Sequence, residues 1–196
     1  MHMRIIAGDA RGKVIEAPEG MDTRPVTDKI RQALFNIWQF DIRDTSFLDL
    51  FSGSGSMGLE ALSRKADRVV MVEKSRKAAD VIRRNLKACR FENRNVRVLE
   101  EDVFQAIADL KKRHETFDRI YLDPPYTVES IFDPVMEALG DGELLNPDGE
   151  IVIRSLNTKP MKERYGKLRK YREKTWGIST AHFYKIQQEE DTEKDN

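Results

Sequence analysis

The sequence of 196 residues is poor in several features that would otherwise direct its reading. Its one cysteine, Cys89, cannot form a disulfide within the chain, which excludes a disulfide-stapled scaffold and points to a reducing compartment. Net charge is absent: 34 Lys and Arg balance 34 Asp and Glu, so total charge selects no partner. No apolar run approaches the roughly 18 residues of a membrane-spanning helix. The opening Met1-His2-Met3-Arg4-Ile5-Ile6 lacks the apolar stretch of a signal peptide. These absences predict a soluble cytoplasmic protein without membrane contact. What remains, 39% hydrophobic and 35% charged residues, suits a solid core under a heavily charged surface. The length fits one domain of ordinary size, without repeats or low-complexity segments.

Residues 3–8 and 13–17 are short β-prone runs around Asp9-Ala10-Arg11-Gly12, a hairpin turn. Pro18, Gly20 and Pro25 punctuate a loop, and the spacing of Ile30, Leu34, Ile37 and Trp38 predicts a helix capped by Thr27 or Asp28. Strands and helices then alternate. Strands are expected at 47–51, 68–73, 96–99, 119–122 and 151–153, with helices at 57–64, 78–91, 104–113 and 131–139. That alternation predicts an open, mostly parallel α/β sheet with helices on both faces. A late strand at 181–186 is expected antiparallel at the edge. The implied boundaries are 1–26 for a hairpin and loop extension, 27–187 for the main domain, and 188–196 for an acidic, disordered tail. Nine basic residues between Lys74 and Arg97, and nine more between Arg154 and Lys174, read either as solvated helix faces or as contacts to a phosphate backbone.

Gly53-Ser54-Gly55-Ser56-Met57-Gly58 matches G-x-G-x-x-G between a strand and a helix. The first glycines permit a tight turn open to a ligand, and the third lets the helix approach the strand. Glu73, twenty positions after Gly53, stands where a carboxylate accepts ribose hydroxyls. Asp49, just before the glycines, would repel a dinucleotide pyrophosphate but suits the ammonium and sulfonium of S-adenosylmethionine (SAM). Asp102 is placed to accept from an adenine amino group. Each acid alone reads as a cap or surface charge; three at successive strand ends favour SAM over NAD.

Asp123-Pro124-Pro125-Tyr126 follows the fourth strand. Two prolines lock the backbone and remove two donors, so Pro-Pro alone reads as a rigid strand stop. Its flanking residues add chemistry. The lone pair of an exocyclic amine on a base is delocalised into the ring. Asp123 and the Pro124 carbonyl supply two acceptors that can turn the amine and free that pair, and Tyr126 supplies a face on which an extruded base stacks. Asp123 also stands ready to take the proton released on transfer.

Taken in order, these motifs resemble class I SAM-dependent methyltransferases acting on amino groups. Met3-Arg4-Ile5-Ile6-Ala7-Gly8 with Arg11-Gly12-Lys13, Asp22-Thr23-Arg24-Pro25 running to Asp28 through Asn36, and Phe47 through Phe51 followed by the glycines and Leu59 through Arg64 narrow the resemblance to the RsmD family. It covers residues 3 to about 186. The resemblance implies a Rossmann-like class I methyltransferase fold, a mostly parallel seven-stranded sheet plus an N-terminal β-hairpin. It implies N2-methylation of a specific guanine in 16S ribosomal RNA, within a small-subunit assembly particle, by a monomer. SAM would be the cofactor and S-adenosylhomocysteine (SAH) the product, with no metal. Asp49, Phe51, Gly53, Gly55, Gly58, Glu73, Lys74, Asp102, Val103 and Asp123 would hold the cofactor. Arg4, Arg11, Lys13, Arg24, Asp28, Arg31, Pro125 and Tyr126 would meet RNA, with Asp123, Pro124 and Tyr126 catalytic. Taken singly, Arg24 reads as a loop ion pair, and Asp28 and Arg31 as a cap and an exposed charge. Ser52 and Ser56 replace small apolar residues common in the family, and Arg154 stands where an acid is expected.

His2, His114 and His182 lie far apart without Cys or carboxylate partners at ligand spacing, so no metal site is expected. Cys89 and Trp38 read as core, while Trp176 stays open. An N6-adenine methyltransferase shares the Asp-Pro-Pro-Tyr chemistry. An NAD-linked oxidoreductase needs a hydride-transfer constellation that is missing. A non-catalytic RNA-binding assembly factor would have no need of the amine-activating pair.

Overall fold

The computed structural model describes residues 2–20 and 27–188. Two compact units divide between Ala106 and Ile107. In the first, β1 (His2–Arg4) and β2 (Val14–Glu16) pair antiparallel, their link closed by Gly12 at φ 81°. Helix α1 (Asp28–Ile37) starts where the Thr27 side chain accepts from the Ile30 N–H at 3.3 Å. Then follow β3 (Ser46–Asp49), α2 (Ser56–Ser63), β4 (Arg68–Val72), α3 (Arg76–Ala88) and β5 (Val96–Leu99). Strand β4 lies between β3 and β5, parallel to both.

The apolar face of α1 explains its docking. Phe35, Trp38 and Phe47 form an aromatic cluster with ring centroids 5.2–6.3 Å apart. All three are essentially buried, each contributing about 1.5–3 kcal/mol of burial. Cys89 is buried too, and that burial pushes its thiol up. The N-terminal hairpin is tied into this unit. The Glu60 carboxylate on α2 accepts the Ile6 and Ala7 N–H groups at 2.7 and 3.2 Å. Asn85 on α3 brackets Glu16, accepting its N–H and donating to its carbonyl.

Helix α4 (Val103–Lys112) carries the division point. The second unit continues with β6 (Phe117–Leu122), a 3₁₀ turn (Glu129–Ile131), α5 (Phe132–Leu139), β7 (Leu145–Leu156), β8 (Arg164–Tyr165), β9 (Leu168–Trp176) and β10 (Ser179–Ile186). Strands β6 and β7 are parallel; β7, β10, β9 and β8 succeed one another antiparallel.

Three differences from the sequence reading have physical causes. Strand β10 is antiparallel but interior, flanked by β7 and β9, which is why Ser179 to Tyr184 are all buried. The basic run from Arg154 to Lys174, read as helix faces or phosphate contacts, puts four of its nine cations on strand β9, whose Leu168 alone is buried. With so few apolar residues, β9 shows no periodicity to read. Strand β8, only two residues long, brings the sheet strands of the two units to three and five, one above the seven expected. The tail expected at 188–196 falls almost wholly outside the described residues. Among the described residues, no helix is long and apolar enough to cross a membrane.

Candidate active site

The glycine turn begins as β3 ends. Asp49, buried at the strand terminus, accepts the Phe51 N–H at 3.2 Å with its Oδ1. Gly53 and Gly55 have φ of 55° and 81°, the left-handed region that favours glycine, and Gly55 caps α2 from that conformation. Glu73, immediately after β4, reaches back into the turn: its Oε2 accepts the Gly53 N–H at 2.8 Å and its Oε1 the Ser75 N–H at 3.1 Å. The twenty-residue spacing is thus a direct bond that sets the turn against the next strand.

Gly58 has the role expected of a third glycine. A Cβ there would lie 2.5 Å from Met71 Sδ and 3.2 Å from Val69 Cγ1, so α2 rests directly on β4. Of the two departing serines, Ser52 serves the turn with its side chain, Oγ donating to the Asp49 carbonyl at 3.1 Å, while at Ser56 it is the backbone N–H that donates, to Ser54 Oγ at 3.3 Å. Phe51 is half-buried, Lys74 is exposed and Val103 is buried. Asp102 is exposed and caps α4, its Oδ1 accepting from Phe104 N–H at 2.9 Å.

The second unit presents Asp123-Pro124-Pro125-Tyr126 directly after β6. Asp123 Oδ2 accepts from three donors: Arg154 Nη2 at 2.8 Å, Arg154 Nε at 3.2 Å and the Tyr121 hydroxyl at 3.3 Å. Among the described residues, no hydrogen bond reaches Asp123 Oδ1 or the Pro124 carbonyl. The Arg154 guanidinium also lies 5.5 Å from the centroid of the half-buried Tyr126 ring. Burial pushes the Asp123 carboxyl above its usual range, with Arg154 and then Tyr121 pulling it back. Burial is the largest single influence on Arg154 and lowers it, yet Asp123 together with Tyr121 and Tyr126 raises the guanidinium on balance.

Arg154 therefore occupies the place where an acid was expected, and it is the residue that sequence reasoning missed. Its signal was a lone cation closing a buried apolar strand. The β6–β7 register pairs Leu122 with Ile153, so Asp123 and Arg154 are the next residues on adjoining strands.

Of the residues expected to meet RNA, Arg4, Arg11, Lys13 and Asp28 are exposed, and Arg24 lies outside the described residues. Arg31 is instead fully buried, its Nη2 donating to the Arg4 carbonyl and to Asp28 Oδ1. It ties α1 to the hairpin, which gives it a structural place and not a surface one. Burial lowers its guanidinium, with Glu60 and Asp28 opposing.

One further constellation has the form of a nucleophile, base and acid. Ser155 Oγ lies 3.0 Å from His182 Nε2, and His182 Nδ1 lies 3.3 Å from Glu173 Oε1. Ser155 is fully buried, so no substrate reaches its hydroxyl.

Residues 3–185 match the family described as Conserved hypothetical protein 95. The Haemophilus influenzae ribosomal RNA small subunit methyltransferase D is 29% identical over 184 residues, 93% of each chain. Its Escherichia coli namesake is 31% identical over 153 residues, 78% of this chain and 74% of its own. This chain belongs to the RsmD family.

Among solved structures, the Escherichia coli protein yhhF superposes with a TM-score of 0.82 at 28% identity, covering 95% of this chain and 99% of its own. SMU.776, solved with SAH, shares the fold at 15% identity and a TM-score of 0.67, over 81% of this chain and 48% of its own. The fold is the Rossmann-like class I methyltransferase fold with its N-terminal hairpin. As an RsmD-family member, the chain keeps both signature turns intact, and Arg154 beside Asp123 is the feature its sequence had flagged as unusual for the family.

Proposed function

We propose that the protein transfers the methyl group of SAM to the exocyclic N2 of a guanine in 16S ribosomal RNA. The observation that carries this reading is the Asp-Pro-Pro-Tyr turn, where Oδ2 of Asp123 is held while, among the described residues, no hydrogen bond reaches its Oδ1 or the Pro124 carbonyl. Those two acceptors match the two N–H bonds of an exocyclic amine. Accepting both turns the nitrogen so that its lone pair leaves the ring system and becomes nucleophilic. That pair forms the N–C bond as the C–S bond breaks, its electrons going to sulfur to give neutral SAH. The cationic nitrogen then loses one proton, for which the Asp123 carboxylate is the acceptor at hand. Catalysis otherwise rests on holding nitrogen, methyl carbon and sulfur in line.

On the donor side, the glycine turn with Asp49, Glu73 and Asp102 would hold SAM, Glu73 taking the ribose hydroxyls. Phe51, Lys74 and Val103 would flank the cofactor. The relatives named for small-subunit rRNA methylation support ribosomal RNA as acceptor. The exposed Arg4, Arg11 and Lys13 would contact its phosphates. The target guanine has to leave its stack, with Tyr126 as the platform, worth about 1–3 kcal/mol.

The test is Asp123→Ala, assayed with labelled SAM and unmethylated small-subunit particles. Transfer should fall below detection while SAM affinity stays within about threefold. A variant retaining most of its activity would refute the amine-activating role.

A further inference from the structure

We propose that Arg154 is a positioning residue for methyl transfer, a guanidinium clamp that keeps Asp123 ionised and reserves its Oδ1 for the substrate amine. The inference rests on the proposed reading of Asp123 as amine acceptor and adds a residue to it.

The geometry is asymmetric in a way that a plain ion pair is not. Two of the three Arg154 guanidinium nitrogens, Nη2 and Nε, converge on one carboxylate oxygen, at 2.8 and 3.2 Å, and Tyr121 adds a third donor to that same oxygen. Arg154 and Asp123 side chains are only 6% and 14% exposed, so water does not replace these donors. The guanidinium is itself held from other sides, with Nη1 3.4 Å from Ser179 Oγ on β10 and Cζ 5.5 Å from the Tyr126 ring centroid. One group thus touches the acceptor carboxylate and the residue offered for base stacking.

Protonation state follows from this arrangement. With Oδ2 filled by three donors, a proton added to Asp123 has only Oδ1 to sit on. Oδ1–H would donate toward an amine that also donates, so a protonated Asp123 cannot activate it. A buried carboxylate without its cation takes up a proton well above the usual range. Arg154 is the cation that opposes this, holding the carboxyl lower than burial alone would set it: the other titratable groups bearing on the pair are Tyr121 on β6 and Tyr126 in the turn, and neither carries positive charge. Ser179 contributes a neutral hydroxyl.

The test compares kcat against pH for the wild type and Arg154→Gln, with saturating labelled SAM and unmethylated 16S rRNA. SAM affinity and thermal melting are measured alongside. Arg154→Gln should bind SAM normally, and its acid limb should move up by about 2 pH units. Activity then falls by about a hundredfold at the foot of the limb and recovers as the pH is raised. A loss of equal size at every pH, or no loss, overturns the role of Arg154 while leaving the function standing. A wild type that transfers no methyl group overturns both. If Arg154→Gln does not fold, Arg154→Lys decides. It keeps the charge but not the two-pronged contact, so its acid limb should stay within about one unit of wild type while kcat falls several-fold. An unchanged kcat there overturns the clamp.

Discussion

Removing the Glu73 side chain tests the proposed cofactor role of the glycine turn most sharply. Both of its oxygens are already engaged, Oε2 with Gly53 N–H at 2.8 Å and Oε1 with Ser75 N–H at 3.1 Å. Each oxygen retains a lone pair for a ribose hydroxyl. Glu73→Ala deletes two charge-assisted acceptors for the ligand, each worth about 1.5–3 kcal/mol before water compensates. A net loss of about 2–3 kcal/mol corresponds to a SAM Kd about 30- to 150-fold weaker. The amide variant Glu73→Gln does not escape, because its –NH₂ must face either Gly53 N–H or Ser75 N–H, donor against donor. Freed from Gly53, the turn also costs the fold about 1 kcal/mol, visible as a lowered urea midpoint. Calorimetric titration with SAM and SAH reads the affinity directly. A Glu73→Ala protein binding SAM within about threefold of wild type would refute the assignment of this carboxylate to the cofactor.

Two further predictions concern stability. Glu60→Ala strands the Ile6 and Ala7 N–H groups and removes the partner of Arg64, 3.2 Å away. It should cost about 2–4 kcal/mol in urea unfolding, and a loss under about 0.5 kcal/mol would contradict the account of how the hairpin is held. His182 is kept below the ordinary imidazole value by burial and then by Lys170, with Glu173 and Glu163 opposing. The folded state therefore binds that proton less readily than the unfolded chain does. This contribution to stability is full above about pH 6.5 and declines as the pH falls below it. His182→Gln should flatten that slope between about pH 6.5 and 5; an unchanged slope would refute it.

The donor half was legible because its chemistry is local. Gly53, Gly55 and Gly58 sit within six residues, and the spacing to Glu73 spans one strand–helix–strand unit, so position in sequence nearly dictates position in space. Helix α1 and strands β3, β4 and β6 were readable for a related reason, since each buries apolar residues. Arg154 was not readable as a partner of Asp123, because the pairing of β6 with β7 joins residues 31 positions apart. Strand β9 was hidden because an exposed strand of Arg, Lys and Glu has no apolar rhythm. Arg31 misled for the opposite reason: an arginine in a helical pattern reads as surface, but here it is fully buried and donates to the Arg4 carbonyl and to Asp28, partners its position in sequence did not reveal.

The central claim is best tested by the identity of the methylated nucleoside. Unmethylated small-subunit particles and bare 16S rRNA would each be incubated with the protein and labelled SAM, digested, and the nucleosides resolved by mass spectrometry. The account predicts a single labelled product, N2-methylguanosine. N6-methyladenosine would keep the amine chemistry and contradict the guanine assignment, and SAM binding without transfer to either RNA would contradict the enzyme itself.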